Sequence, residues 1–404
     1  MVDFIIDETQ RQLADTARRF ALEVMRPAEV ELDRLADPDS VFDDPRFREV
    51  LARAYQLGFH KMALPEAYGG LGLDPMTLAL IWEELAAGGP GFTAGLLPLA
   101  VVARVIAFIA PDNRDLVERY VIPFCEDESG TRIGAWGSSE PEVGSDGSNY
   151  YDPRVRHQTI AVKKGDRYVI NGAKSSFVSN GRIASVYLVF ACLDPSLGIR
   201  GSGAFIVPAD SPGVATGRSL DKIGLRVLNQ AAVYFEDVEV PENHLIFPPG
   251  DDYPFFHNAI VTVGNIGVGY LAVGLLRSAY EEALRYAKQR VQWGRPIARH
   301  QLITAKLFDA YTAIETARAL LWKASWLSAQ NFPGDLALSL TAKVYATRQA
   351  VRHTAEMVQV LGSYGISREY LLEKMMRDAK PLEMMDGANE VLALKAAAEL
   401  IGDE

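Results

Sequence analysis

Val186-Tyr187-Leu188-Val189-Phe190, with Tyr168-Val169-Ile170 before it and Ala204-Phe205-Ile206-Val207 after it, decides what kind of fold this chain takes. These runs are dominated by β-branched and aromatic residues, which fit a pleated surface and lose side-chain freedom in a helix. Turn signals separate them: Gly165-Asp166 precedes the Tyr168 run, and Asn171-Gly172, a favoured hairpin dipeptide, follows it. From about Ile133 to Val240 the apolar spacing is close to two, and the zone reads as a compact antiparallel β-domain.

Outward from that zone the period changes. From Ile6 to about Phe124 apolar residues recur at three and four, as in Leu13, Ala17, Phe20, Ala21 and Val24. Asp7 with Gln10 has the form of a capping box opening the first helix. Pro27, Pro38 and Pro45 divide the early helices, and the loop from Pro65 to Gly72 separates later ones. Beyond about Phe255 helical spacing returns, chiefly in Tyr280 to Arg290, Ile303 to Leu327, Asp335 to Leu361 and Gly387 to Leu400. Pro333, the Gly362–Gly365 region and Pro381 interrupt these segments, which suggest a helix bundle. The expected fold class is α+β and multidomain: a helical domain over 1–130, a β-domain over 131–245 and a helical bundle over 246–404.

The composition fits this. A chain of 404 residues, 49% hydrophobic and 23% charged, can bury a large core and keep a wet surface. Its 41 basic and 52 acidic residues leave a net charge of -11, which argues against broad affinity for nucleic acid or an anionic membrane. A phosphorylated ligand remains compatible, because local Arg, Lys and helix N-termini can hold one. Cys125 and Cys192 cannot form a framework of bridges, and the N-terminus shows no signal-peptide pattern, so a reduced cytoplasmic setting is expected. The richest apolar stretch, Leu96 to Ile109, contains Pro98 and Arg104; it reads as a buried helix, and no membrane span is expected.

His60, His157, His244, His257, His300 and His353 show no metal-ligand spacing, so no metal is expected. No Gly-x-Ser-x-Gly elbow is present. Gly267-x-Gly269-x-x-Ala272 imitates a dinucleotide fingerprint, but it lies inside a helical pattern, where small residues at a packing face explain it better.

Several local signatures, in order, resemble the acyl-CoA dehydrogenase family over nearly the whole chain. They are Leu64-Pro65-x-x-Tyr68-Gly69-Gly70-x-Gly72 with Glu83-Glu84-Leu85-Ala86, Ser139-Glu140-Pro141-x-x-Gly144-Ser145-Asp146, Ile170-Asn171-Gly172-x-Lys174, and Ser179-Asn180-Gly181. Phe235-Glu236-Asp237-Val238-x-Val240-Pro241, Arg290-x-x-Trp293-Gly294, His300-Gln301, Gln359-x-x-Gly362 and Met376-Arg377-Asp378-Ala379-Lys380 complete the series. The resemblance implies an N-terminal helical domain, a middle β-barrel and a C-terminal four-helix bundle. It also implies non-covalent FAD, an acyl-CoA substrate, a homotetramer, and electrons passed to an electron-transferring flavoprotein.

Taking hydrogen from Cα and Cβ of a thioester needs a base, donors for an enolate-like oxygen, and a hydride acceptor that no side chain can be. The base candidate is Asp386, in Glu383-Met384-Met385-Asp386-Gly387-Ala388-Asn389-Glu390. The two methionines would desolvate its carboxylate, and Gly387 permits close approach of a substrate. On local sequence alone, an N-cap for a final helix is the plainer reading of Asp386. Glu383 is the rival base, not followed by glycine. In the family a Glu stands at this place, its N–H joining the oxyanion hole; Asp is shorter by about 1.5 Å. A displacement of roughly 1 Å can cost about a hundredfold in rate. The shorter base resembles dehydrogenases of alicyclic acyl-CoAs, and a bulky acyl group would occupy the space.

By the same resemblance, Trp136, Ser138, Ser139 and Ser145 lie along the flavin and inner thioester, and Phe177 and Ser179 cover the flavin ring. An extra residue near Ser175-Ser176 disturbs the match there. Arg290, Gln292, Trp293, His300 and Gln301, with Gln359, Gly362 and Ser363, match residues that reach the FAD of a neighbouring subunit. Ala388 and Glu390 stand at cofactor positions where Thr and Gln are common. Ser145, Asn265 and Gly387 are placed at the substrate, and Asn265 replaces a usual Arg near the CoA arm. Gly264 leaves the alternative base site of isovaleryl-type members empty. Two other readings stay open: a flavin oxidase on the same fold, since nitroalkane oxidases also use an Asp base, and a flavin- or CoA-binding protein without turnover.

Overall fold

The computed structural model describes residues 6–402; the first five residues of the N-terminal stretch read above lie outside them. Helix α1 (Glu8–Phe20) opens with the expected capping box, Gln10 N–H donating to Asp7 Oδ1 at 2.8 Å and Asp7 N–H to Gln10 Oε1 at 3.1 Å. A π-type turn carries it into α2 (Arg26–Asp33). Then come α3 (Pro45–Gln56), α4 (Pro75–Gly88), α5 (Pro90–Leu99) and α6 (Val101–Ile109). Asp44 and Asp74 cap α3 and α4, each followed by a proline whose missing N–H costs nothing at that position.

The middle zone is a sheet of β1 (Gly134–Gly137), β2 (Ile160–Lys164), β3 (Arg167–Ser179), β4 (Val186–Cys192), β5 (Ser202–Pro208), β6 (Val214–Thr216), β7 (Gln230–Pro241) and β8 (Leu245–Phe247). Its order is β6-β7-β3-β2-β4-β5-β8, with β1 against β4. Most contacts are antiparallel, but β1 runs parallel along β4, and β2 meets β4 parallel at Ile160 and Cys192. The sheet is therefore mixed at its centre rather than purely antiparallel. Every residue of β4 is buried. Val186, Leu188 and Phe190 join the core of the N-terminal helices, while Tyr187, Val189 and Ala191 join the core of the sheet itself. Burial on both faces is why this strand is apolar without alternation.

One turn signal is corrected. Gly165-Asp166 does turn β2 into β3, with Gly165 at φ +66. Asn171-Gly172 makes no hairpin: β3 runs through it, with a bulge against β7. The Asn171 side chain is taken by Asp237, donating to Oδ1 at 3.0 Å and accepting from its N–H at 2.9 Å. A Cβ on Gly172 would lie 2.6 Å from Thr159 Cα, so the glycine serves close approach of strands.

The C-terminal zone holds α7 (Tyr253–Gln289), α8 (Gln301–Gln330), α9 (Leu336–Leu361), α10 (Leu372–Ala379) and α11 (Asn389–Ile401). Helix α7 begins far ahead of Tyr280. Its early part is masked in sequence by glycines that let neighbours close in: added Cβ atoms would lie 2.9 Å from Leu97 at Gly267, 2.3 Å from Leu321 at Gly269 and 2.4 Å from the Glu83 carbonyl at Gly274. The imitation fingerprint is thus a helix-packing face. Two stretches, Pro90–Ile109 and Tyr253–Gln289, are long and apolar enough to cross a membrane, more than the sequence reading allowed; most of each is buried in the protein's own core. Cys125 and Cys192 are both buried and unbridged.

Candidate active site

Asp386 lies in the turn between α10 and α11 with φ +52, a left-handed conformation that costs a non-glycine residue about 1 kcal/mol. It caps nothing: α11 starts at Asn389, and its N-cap, Ala388, makes no side-chain cap bond. Asp386 is solvent-accessible, with Asn265 and Lys343 close to its turn. Burial raises its pKa above the ordinary 3.8, and Lys343 opposes that rise. Across from it stands Gly264 of α7, where a Cβ would lie 2.8 Å from Asp386 Oδ2. The backbone N–H of Asp386 makes no hydrogen bond within the described residues. The rival base, Glu383, is ion-paired with Lys380 at 2.5 Å.

Three side chains hold this turn. Lys343, fully buried on α9 and missed in the sequence reading, donates to Gly387 O at 2.9 Å, Asn389 Oδ1 at 3.0 Å and Glu383 O at 3.4 Å. Burial pushes its pKa down to about 8, with the neighbouring carboxylates of Asp386, Glu383 and Glu390 pulling it back up. Nothing local marks it: a lysine inside a helix pattern reads as a solvated charge. Ser145 Oγ accepts from Ala388 N–H at 3.0 Å, tying the loop after β1 to the same turn. Asn265 is fully buried, its Nδ2 donating to Val261 O at 2.9 Å and to Asp386 O at 3.4 Å, while its Oδ1 has no partner among the described residues. It braces the backbone of Asp386. Gly387, at φ +112, stays in the turn, and Glu390 is exposed at the start of α11.

The β-domain supplies a second wall. Lys174, wholly buried, reaches Glu140 Oε1 and Phe190 O at 2.6 Å each, and Ser138 O at 3.4 Å. This fixes the Ser138–Glu140 segment, and Ser139 O also accepts from Ser175 N–H at 2.9 Å. Trp136 lies 6.1 Å from Phe190 and 6.3 Å from His257 between ring centroids, and its buried Nε1 has no acceptor. Between Lys174 and Val178, β3 carries more residues than β7 opposite, where Val233 and Ala231 are the partners. The surplus bulges outward, which accounts for the extra residue noted at Ser175-Ser176. It also leaves Phe177 65% exposed beside Ser179, whose Oγ accepts from Gln230 Nε2 at 3.4 Å.

The remaining candidates gather elsewhere. Arg290 sits 5.9 Å over the ring of Tyr364, joining the end of α7 to the end of α9. Gln292 and Trp293 form a small hairpin with Arg295, and Trp293 at its tip is 94% exposed. His300 donates from Nε2 to Gln292 O at 3.0 Å, and Gln301 opens α8. Gln359, Gly362 and Ser363 are exposed at the end of α9. At 1.5 Å per residue, Gly362 lies about 28 Å along α9 from Lys343. One chain therefore keeps two groups of site residues apart.

Family models for the acyl-CoA dehydrogenase N-terminal, middle and C-terminal domains match residues 7–124, 135–238 and 258–401 in turn. The chain belongs to the acyl-CoA dehydrogenase family. It is 32% identical over 397 residues to the cyclohex-1-ene-1-carbonyl-CoA dehydrogenase of Syntrophus aciditrophicus (strain SB), covering 98% of this chain and 91% of that one. Butyryl-CoA dehydrogenase from Megasphaera elsdenii is similar in structure, with a TM-score of 0.88 and 32% identity over 99% of this chain and 100% of that one. A chain of the solved structure described as the electron transferring flavoprotein of Acidaminococcus fermentans matches with a TM-score of 0.89 and 32% identity over 100% of both. As an acyl-CoA dehydrogenase the protein is an FAD-dependent oxidoreductase, and its helix–sheet–helix architecture is that of the family. Among the described residues no group of His, Cys, Asp and Glu is placed to hold a metal.

Proposed function

We propose that this enzyme dehydrogenates a bulky, alicyclic acyl-CoA between Cα and Cβ, with Asp386 removing the α-proton. The observation that carries the reading is the carboxylate itself: accessible, facing Gly264, held in a left-handed turn, and engaged in no cap or ion pair among the described residues. Its free N–H points to the second requirement, a donor for the thioester oxygen. Gly264 makes room for the carboxylate, a Cβ there lying 2.8 Å from Asp386 Oδ2, and the shorter side chain leaves width at the reacting carbon. The relative that acts on a cyclohexene-carbonyl thioester supports that substrate class.

The β-domain wall fits a flavin. Trp136 offers a buried donor without an acceptor, Ser138, Ser139, Ser145 and Ser179 offer hydroxyls, and Phe177 offers an open aromatic face. When bound there, FAD supplies the hydride acceptor. Arg290, Gln292, Trp293, His300, Gln301, Gln359, Gly362 and Ser363 would hold the far part of a second copy's cofactor: Gly362 lies about 28 Å along α9 from Lys343, which holds the Asp386 turn, and Arg290 packs over Tyr364 at that same distant end. That division supports an oligomer, a homotetramer by family resemblance. An electron-transferring flavoprotein is the proposed electron acceptor.

The test is anaerobic mixing of the holoenzyme with straight-chain, branched, aryl and alicyclic acyl-CoAs, followed by flavin absorbance. Fast bleaching by the alicyclic thioesters supports the reading. Bleaching by nitroalkanes and by no thioester would move the protein to oxidase chemistry.

A further inference from the structure

Helices α7 and α11 are clasped to each other at two levels. At the inner level Gly264 faces the Asp386 carboxylate, Asn265 donates to Asp386 O at 3.4 Å, and Ser145 Oγ accepts from Ala388 N–H at 3.0 Å. Seven residues along each helix the same elements meet again. There Lys395 Nζ donates to Asn258 Oδ1 at 2.7 Å and to the Tyr150 hydroxyl at 2.9 Å, and that hydroxyl donates to Asn258 Oδ1 at 2.6 Å. Contacts that pair 265 with 386 and 258 with 395 make the two helices antiparallel. Spacings of three and four keep Asn258, Val261 and Asn265 on one face of α7, and Ala388, Leu392 and Lys395 on one face of α11. Val261 and Leu392 share a buried cluster between the clasps. At 1.5 Å per residue the two levels lie about 10 Å apart.

The outer clasp carries an unmatched charge. An ammonium has three N–H donors, and Lys395 uses two, both on neutral oxygens, while lying 4.5 Å over the Tyr150 ring. Glu399, one turn further along α11, acts on it electrostatically, but no carboxylate forms an ion pair with it among the described residues. Burial pushes its pKa down to about 8, the direction expected of an ammonium short of counter-charge, and the residue keeps partial exposure. The nearby cations are occupied. Lys343 donates to three acceptors of the Asp386 turn, and Arg200, which donates to Tyr150 O at 3.2 Å, is paired with Asp251. No other Lys or Arg stands on α7 ahead of Arg277, on α11, or between Ser138 and Tyr151.

A CoA thioester that meets Asp386 brings phosphate charges that come to rest some way beyond the base. An extended pantetheine arm, comparable to about four residues, spans roughly 14 Å, which brings its phosphate end within a side chain's reach of a lysine about 10 Å out. We propose that Lys395, aimed by Tyr150 and Asn258, binds the phosphates of CoA through its remaining N–H and so fixes the arm against α11. The inference rests on the acyl-CoA dehydrogenase reading of the same site. Phosphate supplies the counter-charge that the clasp lacks, and an ammonium meeting it makes a short, charge-assisted hydrogen bond.

The experiment is anaerobic flavin reduction of the holoenzyme by cyclohexanecarbonyl and butyryl thioesters, each carried on CoA and on pantetheine, which lacks the phosphates. In the wild type KM should be at least about tenfold lower for CoA than for pantetheine, a gap that narrows as salt rises. Lys395→Met should raise KM for the CoA thioesters about tenfold, hold their kcat within about twofold, and leave the pantetheine thioesters as they were. Lys395→Gln keeps donors for Tyr150 and Asn258 and removes only the charge, so it should follow Lys395→Met. Full CoA affinity in Lys395→Gln would overturn the inference. So would equal losses on CoA and pantetheine thioesters, which mark a clasp that only shapes the base turn. Failure of every thioester to reduce the wild-type flavin would overturn the dehydrogenase reading, and this inference with it.

Discussion

The buried ammonium of Lys343 donates to the Gly387 carbonyl at 2.9 Å, and so holds the residue next to Asp386 from a different helix. With Asn389 and Glu383 it makes one lysine the anchor of the whole turn. Lys343→Met keeps the bulk and removes the bonds. Flavin reduction should slow on the order of a hundredfold, the cost of a displacement near 1 Å. Stopped-flow absorbance checks this, with circular dichroism to verify the fold.

The same pair sets a pH dependence. Burial raises the Asp386 pKa above 3.8, and Lys343 lowers it. A carboxyl group with a raised folded pKa lends stability that is complete below the unfolded pKa and lost as pH rises through the folded one. Catalysis needs the ionised form, so flavin reduction should fall on the acid side at a pH above that of a free aspartate. In Lys343→Met the acid limb should move further up. A limb that stays in place would remove Lys343 from the electrostatics of the base.

Gly264→Ala separates stability from activity. Alanine is the better helix former by about 1 kcal/mol, so Tm should hold or rise. The new Cβ would come 2.8 Å from Asp386 Oδ2 and displace the carboxylate, so reduction should slow at least tenfold. Calorimetry and rapid-reaction kinetics on the same variant read both effects.

Lys374 joins all three zones of the chain. It pairs with Glu29 at 2.6 Å and Asp378 at 2.5 Å; Glu29 accepts the Gly91 and Phe92 N–H groups at the start of α5, and Asp378 accepts Leu225 N–H at 2.6 Å. Lys374→Met leaves two buried carboxylates uncompensated and should destabilise by about 3–5 kcal/mol, measured by urea unfolding.

The helix–sheet–helix order was legible because apolar spacing is a local property, and so was the Asp7 capping box, whose partners are three residues apart. Asn171-Gly172 misled because its actual partners, Asp237 and Thr159, come from other strands. The early part of α7 was hidden for a similar reason: its glycines answer to Leu97, Leu321 and Glu83, all distant in sequence. Asp386 read locally as a cap, and only its left-handed backbone and the start of α11 at Asn389 release it from that role. Lys343 could not be distinguished from a surface charge without the packing that buries it.

Asp386→Asn tests the central claim most directly. The substitution keeps shape and removes the basic oxygen. Anaerobic mixing of the FAD-loaded variant with an alicyclic acyl-CoA should leave the flavin oxidised, while the cofactor stays bound and the thioester still perturbs its spectrum. Reduction at the wild-type rate would contradict the account and place the base elsewhere.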